Sequence, residues 1–411
     1  MKYACIGEHL KHSFSKEIHN ALADYEYEIK EIPKTELDSF MKRADFLGIN
    51  VTIPYKEAVI PYLFEIDSAA KSIGAVNTIV NKNGKLFGYN TDFYGMCELF
   101  EYARLSAAGK KAVILGSGGT AKTAKAVLKH LGAAEILTVS RTKTDSTVSY
   151  EELYEKHSDA EIIVNTTPVG MFPETDSIPV ELSKFPKLSG VIDAIYNPLR
   201  TKLISEALSL GIPAAGGLYM LVAQAVRASE LFLGKSYEKK ELWRVFEKTL
   251  REKENIVLIG MPSSGKTTIA KELSKLLSRE AYDSDEEIEK AHGKITDIFK
   301  NEGEKAFRDY ETEAIKALSS KTGVIIATGG GAILREENVK ALKRNGKIVF
   351  LNRALEDLTP TASRPLSSDF QALRQRFEER LPIYESVCDL KLDVTGTPEE
   401  LAIKIKEMLS Q

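Results

Sequence analysis

The sequence predicts an α/β protein of more than one domain, built on parallel sheets covered by helices on both faces. Three observations predict it. The chain has 411 residues, too many for one ordinary core. Short continuous apolar runs alternate with longer amphipathic stretches: KAVILG, EILTVSR, EIIVNTT and GVIDAIY, then NIVLIG, GVIIATGG and KIVFLNR. Strands apolar on both faces belong in parallel sheets sandwiched by helices. Finally, a strand, a glycine-rich turn and a helix follow one another twice, over 112–131 and 256–277. In that arrangement backbone N–H groups at a helix start face a phosphate, so two nucleotide sites are expected.

Hydrophobic residues make up 43% and charged residues 28%, a normal balance for a chain that buries a sizeable core. The formal net charge of −3 excludes a general nucleic-acid binder, which needs a basic surplus against phosphates. Cys5, Cys97 and Cys388 are scattered and odd in number, as reduced thiols in a cytosolic protein would be. The six histidines form no metal-like pair. The start, MKYACIGEHLKHSF, lacks a long apolar stretch, and no run is apolar enough to span a bilayer. The expectation is a cytoplasmic protein without membrane or nucleic-acid partners, acting on small molecules; its oligomeric state is not legible here.

The first glycine-rich start is KKAVILGSGGTAKTAKAVLKHLG. Gly116, Gly118 and Gly119 crowd the turn, and Ala121 lies one turn into the helix. Glycine there allows a tight turn and close approach of a pyrophosphate to the helix N-terminus. At the end of the next strand an NAD site usually carries an acid for the ribose 2′-hydroxyl. This chain has Ser140, Arg141 and Thr142. A guanidinium suits a 2′-phosphate through charge-assisted forked hydrogen bonds, which points to NADP(H).

Residues 1–103 carry polar clusters in apolar surroundings: HSFSKEIHN at 12–20, GINVTIPYK at 48–56, GAVNT at 74–78 and GYNTDFYG at 88–95. Together with VNTTPVGM, DAIYNP and GLYMLVAQA, this ordered set resembles shikimate dehydrogenase over roughly residues 1–250. The resemblance implies a substrate-binding catalytic domain over 1–103, completed by returning helices in 216–252, and a Rossmann NADP-binding domain over 104–215. Ketone reduction by hydride needs a proton donor at the forming alkoxide. By resemblance that donor is Lys56, held by Asp92. The same resemblance assigns Ser13 and Ser15 to the substrate carboxylate, with Tyr196 at that end. Asn50, Thr52, Asn77 and Gln224 go to the ring hydroxyls or the pocket shape, and Gly217 and Met220 to the nicotinamide side. Two departures lie at the mouth of the carboxylate site. Lys16 stands where the family usually has proline after the second serine, and Glu8 and His9 replace small or proline residues. A quinate-using relative commonly has threonine at one of the serine positions, which Ser15 does not match.

The stretch YEKKELWRVFEKTLREKEN reads as a helix docked on the first half, because Leu242, Val245, Phe246, Thr249 and Leu250 fall at helical spacing. A short hinge is expected near Lys253 to Asn255.

GMPSSGKT at 260–267 fits a P-loop for ATP and Mg²⁺. Gly260 and Gly265 shape the loop, Lys266 reaches the outer phosphates, and Thr267 takes the metal. Asp283 and Asp285 are two apart, so on a strand end both face one way. With FRDYE (Arg308, Glu311), GVIIATGGGA, an RP arginine at Arg364 and RLPIY at Arg380, residues 255–411 resemble shikimate kinase, a P-loop α/β domain. The resemblance implies that Asp283 contacts Mg²⁺, Asp285 holds the accepting hydroxyl, and Arg308 and Arg380 clamp the carboxylate. Gly329, Gly330 and Gly331 line the ring, Arg364 is the lid arginine, and Phe299 and Phe307 are pocket residues. Serine replaces a family glycine in the PSSG turn, and the lid stretch ALEDLTPTAS is short and has no basic residue. The expected function is NADPH-dependent reduction of 3-dehydroshikimate followed by ATP-dependent phosphorylation of shikimate. The alternatives are a dehydrogenase with a regulatory, non-catalytic nucleotide-binding module, and a nucleoside or sugar kinase fusion. The latter leaves ATGGGA and RLPIY without a purpose.

Overall fold

A computed structural model of the chain describes residues 2–8, 10, 14–142, 144–358 and 370–410. It divides into two compact units, Met1–Leu250 and Arg251–Gln411. The first unit contains two sheets. One comprises β1 (Tyr3–Gly7), β2 (Tyr27–Glu31), β3 (Gly48–Val51), β4 (Glu65–Ile66), β5 (Thr78–Lys82) and β6 (Lys85–Tyr89), in the order β2-β1-β3-β5-β6-β4. It is mixed, not all-parallel as the general reading of the chain expected: β3 and β5, and β5 and β6, pair antiparallel. The physical reason is a tight hairpin. Asn83 and Gly84 both have positive φ, 55° and 82°, as a two-residue turn that matches strand twist requires.

The second sheet comprises β7 (Lys111–Leu115), β8 (Glu135–Val139), β9 (Ile162–Asn165), β10 (Gly190–Asp193) and β11 (Ala214–Ala215), in the order β11-β10-β9-β7-β8. All its pairings are parallel. The strand order reverses beside β7, so the glycine turn after Leu115 opens at the crevice where ligands bind in such sheets.

Two helices bring distant parts of the first unit together. Thr91–Tyr102 and Leu218–Leu233 pack closely at Gly95, where an added Cβ would stand 2.7 Å from the Met220 carbonyl oxygen. The helix Lys239–Lys253 follows, with Leu242, Val245 and Phe246 buried in the same core as Leu22, Phe100 and Tyr219. β12 begins at Asn255, with Glu254 alone between it and that helix.

The second unit has one parallel sheet: β12 (Asn255–Ile259), β13 (Ala281–Asp283), β14 (Ile325–Ala327), β15 (Gly346–Asn352) and β16 (Leu390–Asp393), in the order β13-β14-β12-β15-β16. Apolar cores fill both faces, one around Val257, Ile326 and Phe350 and the other around Leu258, Ile325 and Val349. No helix among the described residues is long and apolar enough to cross a membrane.

Candidate active sites

In the first unit, Lys56 lies in the loop after β3 and Asp92 in the first turn of Thr91–Tyr102. That helix starts on Asn90, whose side chain accepts the Phe93 N–H. A helix N-terminus favours a carboxylate, so Asp92 is well placed as an anion. Lys56 Nζ is 2.6 Å from Asp92 Oδ2, with the side chains only 16% and 11% exposed. So sheltered a pair differs from the solvated surface ion pair that such residues usually form. Cys5, on β1, stands in its field. Burial pushes the thiol up to about 12, with Lys56 pulling down and Asp92 pushing up. Burial also pushes the Tyr196 phenol up to about 12, aided by Cys5 and Glu17. The Tyr196 ring lies 5.2 Å from that of Phe14.

The other residues expected to meet the substrate lie in the same unit. Ser15 is the buried first residue of the helix Ser15–Leu22, and Thr52 follows β3 half-buried. Ser13 lies outside the described residues. Asn50, Asn77 and Gln224 are all buried. Tyr27 donates to Asn50 Oδ1 at 2.6 Å, and the Thr91 N–H reaches Asn77 Oδ1 at 2.7 Å. Gln224 Oε1 accepts from the Thr91 hydroxyl at 3.4 Å. Behind Asn50, fully buried His19 stacks on Tyr27 at 3.8 Å, and burial lowers its pKa to about 3. Sequence reasoning missed Cys5, His19, Tyr27, Thr78 and Thr91. A signal was available for His19, Thr78 and Thr91, which sit inside HSFSKEIHN, GAVNT and GYNTDFYG.

The glycine turn fits a dinucleotide. Gly116 has φ 106°, and a Cβ there would meet Thr166 Oγ1 at 2.8 Å. A Cβ on Gly118 would meet nothing within 4 Å, and one on Gly119 only Lys56 Cδ at 3.8 Å. The turn therefore opens on free space beside the Lys56–Asp92 pair. Gly119 begins the helix Gly119–His130, and Ala121 is buried against the sheet. Ser140 is half-buried after β8; Arg141 and Thr142 are exposed. Gly217 caps Leu218–Leu233, where a Cβ would run into the Ala194 carbonyl oxygen, and Met220 is buried one turn in.

In the second unit the loop after β12 wraps a buried lysine. Lys266 Nζ donates to the carbonyls of Gly260 at 2.9 Å and Met261 at 2.8 Å. Gly260 and Gly265 have φ of 150° and 94°, and Ser263 has φ 64°. Ser263, one of the two serines in the PSSG turn, adopts the left-handed conformation that glycine favours. The Thr267 hydroxyl meets Asp283 Oδ2 at 2.5 Å, a pair of hard oxygens of the kind that holds Mg²⁺. The expectation that Asp283 and Asp285 share a strand end is corrected. Asp283 ends β13 and caps the helix Ser284–His292, accepting the Asp285 N–H at 2.9 Å, so Asp285 lies in the first helical turn.

The glycine run puts the remaining groups together. A Cβ on Gly329 would lie 2.7 Å from both Asp285 Oδ1 and Glu311 Oε1, and one on Gly331 would strike the Arg308 guanidinium. The Gly330 carbonyl accepts from Arg380 at 3.1 Å and Tyr384 at 2.6 Å. Arg308 pairs with Glu311 at 3.2 Å and Glu304 at 2.9 Å. Glu311 is almost wholly buried; burial raises its pKa against the pull of Arg308, and Asp285 raises it further. Its Oε1 makes no hydrogen bond among the described residues. Phe299 and Phe307 pack on each other, centroids 4.8 Å apart. Arg364 and the second half of the lid stretch ALEDLTPTAS fall within 359–369, outside the described residues.

A sheltered lysine–carboxylate pair beside a dinucleotide turn defines a pyridine-nucleotide oxidoreductase, and a P-loop facing an arginine-lined glycine run defines a phosphotransferase. Comparison with known proteins specifies both. The family model "Shikimate dehydrogenase substrate binding domain" matches residues 5–79, and "Shikimate kinase" matches residues 262–410. A shikimate dehydrogenase (NADP(+)) of Clostridium perfringens is 38% identical over 263 residues, 60% of this chain and 97% of that protein. The crystal structure of a chorismate mutase/shikimate 5-dehydrogenase fusion protein from Clostridium acetobutylicum aligns with TM-score 0.57 and 35% identity, over 60% of this chain and 96% of that one. That of shikimate 5-dehydrogenase from Thermus thermophilus, in complex with NADP(H) and shikimate, aligns with TM-score 0.55 and 28% identity, over 61% and 99%. The chain belongs to the shikimate dehydrogenase family and carries a shikimate kinase domain behind it.

Proposed function

We infer that the chain is a bifunctional shikimate-pathway enzyme that reduces 3-dehydroshikimate to shikimate and then phosphorylates shikimate to shikimate 3-phosphate. When bound, NADPH supplies the hydride and Mg²⁺-ATP the phosphoryl group. In the first reaction Lys56 Nζ gives its proton to the substrate oxygen that becomes a hydroxyl, and Asp92 holds the ammonium on that oxygen. Ser13 and Ser15 hold the substrate carboxylate with Tyr196 beside them, while Asn50, Thr52, Asn77 and Gln224 meet the ring. Residues 1–103 with 216–252 form the substrate side, and 104–215 the NADP side, where Gly116, Gly118, Gly119, Ser140, Arg141 and Thr142 receive the dinucleotide.

In the second reaction Asp285 orients the accepting hydroxyl. Arg308 and Arg380 hold the carboxylate, Gly329, Gly330 and Gly331 allow the ring close approach, and Lys266 and Arg364 neutralise charge on the transferred group. Thr267 and Asp283 would hold Mg²⁺. The setting is the cytoplasm.

The observation that carries the reading is the sheltered 2.6 Å Lys56–Asp92 contact beside the glycine turn. Lys56→Ala is expected to lower dehydrogenase kcat about a hundredfold to ten-thousandfold and leave phosphorylation of added shikimate unchanged. Near-normal reduction by the variant would remove Lys56 from the mechanism.

A further inference from the structure

We propose that Thr78 and Thr91 are positioning residues that fix the hydrogen-bonding polarity of the substrate pocket, so that its three amides face the substrate as donors. This rests on the reading of Asn50, Asn77 and Gln224 as substrate ligands. Both hydroxyls are buried, with 0% and 2% of the residue exposed, and they stand 3.0 Å apart.

The polarity is imposed from the main chain. The Thr91 N–H can only donate, and it reaches Asn77 Oδ1 at 2.7 Å. The Asn77 amide is thereby oriented, and its nitrogen donates to Thr91 Oγ1 at 3.1 Å. The Leu221 carbonyl can only accept, and it takes Gln224 Nε2 at 2.9 Å. Gln224 Oε1 is therefore turned to the Thr91 hydroxyl, whose single proton goes either there at 3.4 Å or to Asn77 Oδ1 at 3.2 Å. With that proton committed, Thr91 can only accept from Thr78. Thr78 must donate, either to Thr91 Oγ1 at 3.0 Å or to Asn77 Oδ1 at 3.2 Å. Its lone pair then takes Asn50 Nδ2 at 3.0 Å. That leaves Asn50 Oδ1 for Tyr27, which donates to it at 2.6 Å.

The two hydroxyl protons have alternative acceptors, but the amides keep one orientation throughout, and a buried chain of this kind is costly to reverse. Each of the three amides has two N–H groups. In this polarity Asn77 and Gln224 each commit one to the network and keep the second for a ligand, while the second of Asn50 reaches the Asn77 carbonyl only at 3.5 Å, a long contact that a substrate oxygen can replace. The pocket therefore selects for oxygen acceptors at fixed places on the ring. A ring lacking a hydroxyl leaves a buried donor unpaired, the case in which polar sites discriminate strongly.

The test uses the full chain. Thr78→Val removes the link while leaving Lys56 and Asp92 in place. It is expected to raise the KM for shikimate about tenfold, with kcat within about threefold of the parent. The selectivity for shikimate over its ring-deoxy analogues should fall by a similar factor, and Thr78→Ser should restore both. Tyr27→Phe, which releases the other end of Asn50, should show the same KM rise and decides the matter if Thr78→Val does not fold. Asn50→Ala separates the two levels. If it raises KM while Thr78→Val and Tyr27→Phe do not, the relay is wrong and the ligand reading stands. If Asn50→Ala leaves KM unchanged, the ligand reading fails and the relay with it.

Discussion

At the scale of single residues, burial decides which ionisable groups govern the response to pH. Asp193 ends β10 with no solvent exposure, accepting from Asn165, the Ile195 N–H and Thr201. Burial nevertheless dominates and pushes its carboxyl up to about 6. Unfolded, the group loses its proton near pH 4. Between about 4 and 6 the folded chain thus holds more protons, and Asp193 weakens folding as pH rises, by about 3 kcal/mol in all. His19 acts with the opposite sign. Its folded pKa is lowered to about 3, so its contribution is complete above about 6.5 and is lost as pH falls towards 3. Because His19 is common to both proteins, comparing Asp193→Asn with the parent isolates Asp193. Denaturant unfolding of the first unit should show the variant gaining about 3 kcal/mol relative to the parent between pH 4 and 6. A difference that stays flat across that window would mean that Asp193 titrates like an ordinary carboxylate.

At the scale of elements, one close helix contact serves both packing and the site. Asp92 and Gln224 stand on the two helices that meet at Gly95, where a Cβ would lie 2.7 Å from the Met220 carbonyl and 3.1 Å from Gln224 Cβ. Main chain cannot swing aside as a side chain can. Gly95→Ala should therefore push the helices apart, destabilise the first unit by about 1–3 kcal/mol and raise the KM for shikimate while sparing the kinase. A thermal midpoint and KM equal to the parent's would show that the helix pair absorbs the methyl group. Elements of this kind differ in how far the sequence declares them. The two glycine turns were legible because they make local demands on the backbone that few residues meet. The hairpin of β5 and β6 was equally local, and Asn83–Gly84 announces it, yet the mixed first sheet was not anticipated. The start of Ser284–His292 was also written in the chain, since Asp283 and Glu286 have capping-box spacing. Lys56 and Asp92, 36 positions apart, were paired only through family resemblance. The threonine relay had no such guide, because hydroxyls 13 positions apart become neighbours only when β5 and the helix after β6 fold together.

At the scale of the whole molecule, the two compact units are expected to fold and act separately, and the structure says where to divide them. The second unit uses main-chain oxygens that precede its first strand. Arg279 donates to the carbonyls of Arg251 and Glu254, and the Gly323 N–H reaches the Lys253 carbonyl at 2.8 Å. A fragment spanning 251–411 should be a soluble kinase, whereas one starting at 255 leaves those donors without their acceptors and should unfold at lower denaturant. Equal midpoints would show those bonds to be dispensable. Within the first unit no comparable division exists, because Gln224 joins Thr91 across 133 positions. During synthesis at about 5–20 residues per second, the N-terminal sheet must then wait on the order of ten seconds for the helix that completes its pocket. A dehydrogenase ending soon after that helix would still have it inside the ribosome when translation stops. Here Arg251–Gln411 are still to be made. The ribosome itself therefore keeps the unfinished half tethered, and apart from other copies, until its last helix has docked.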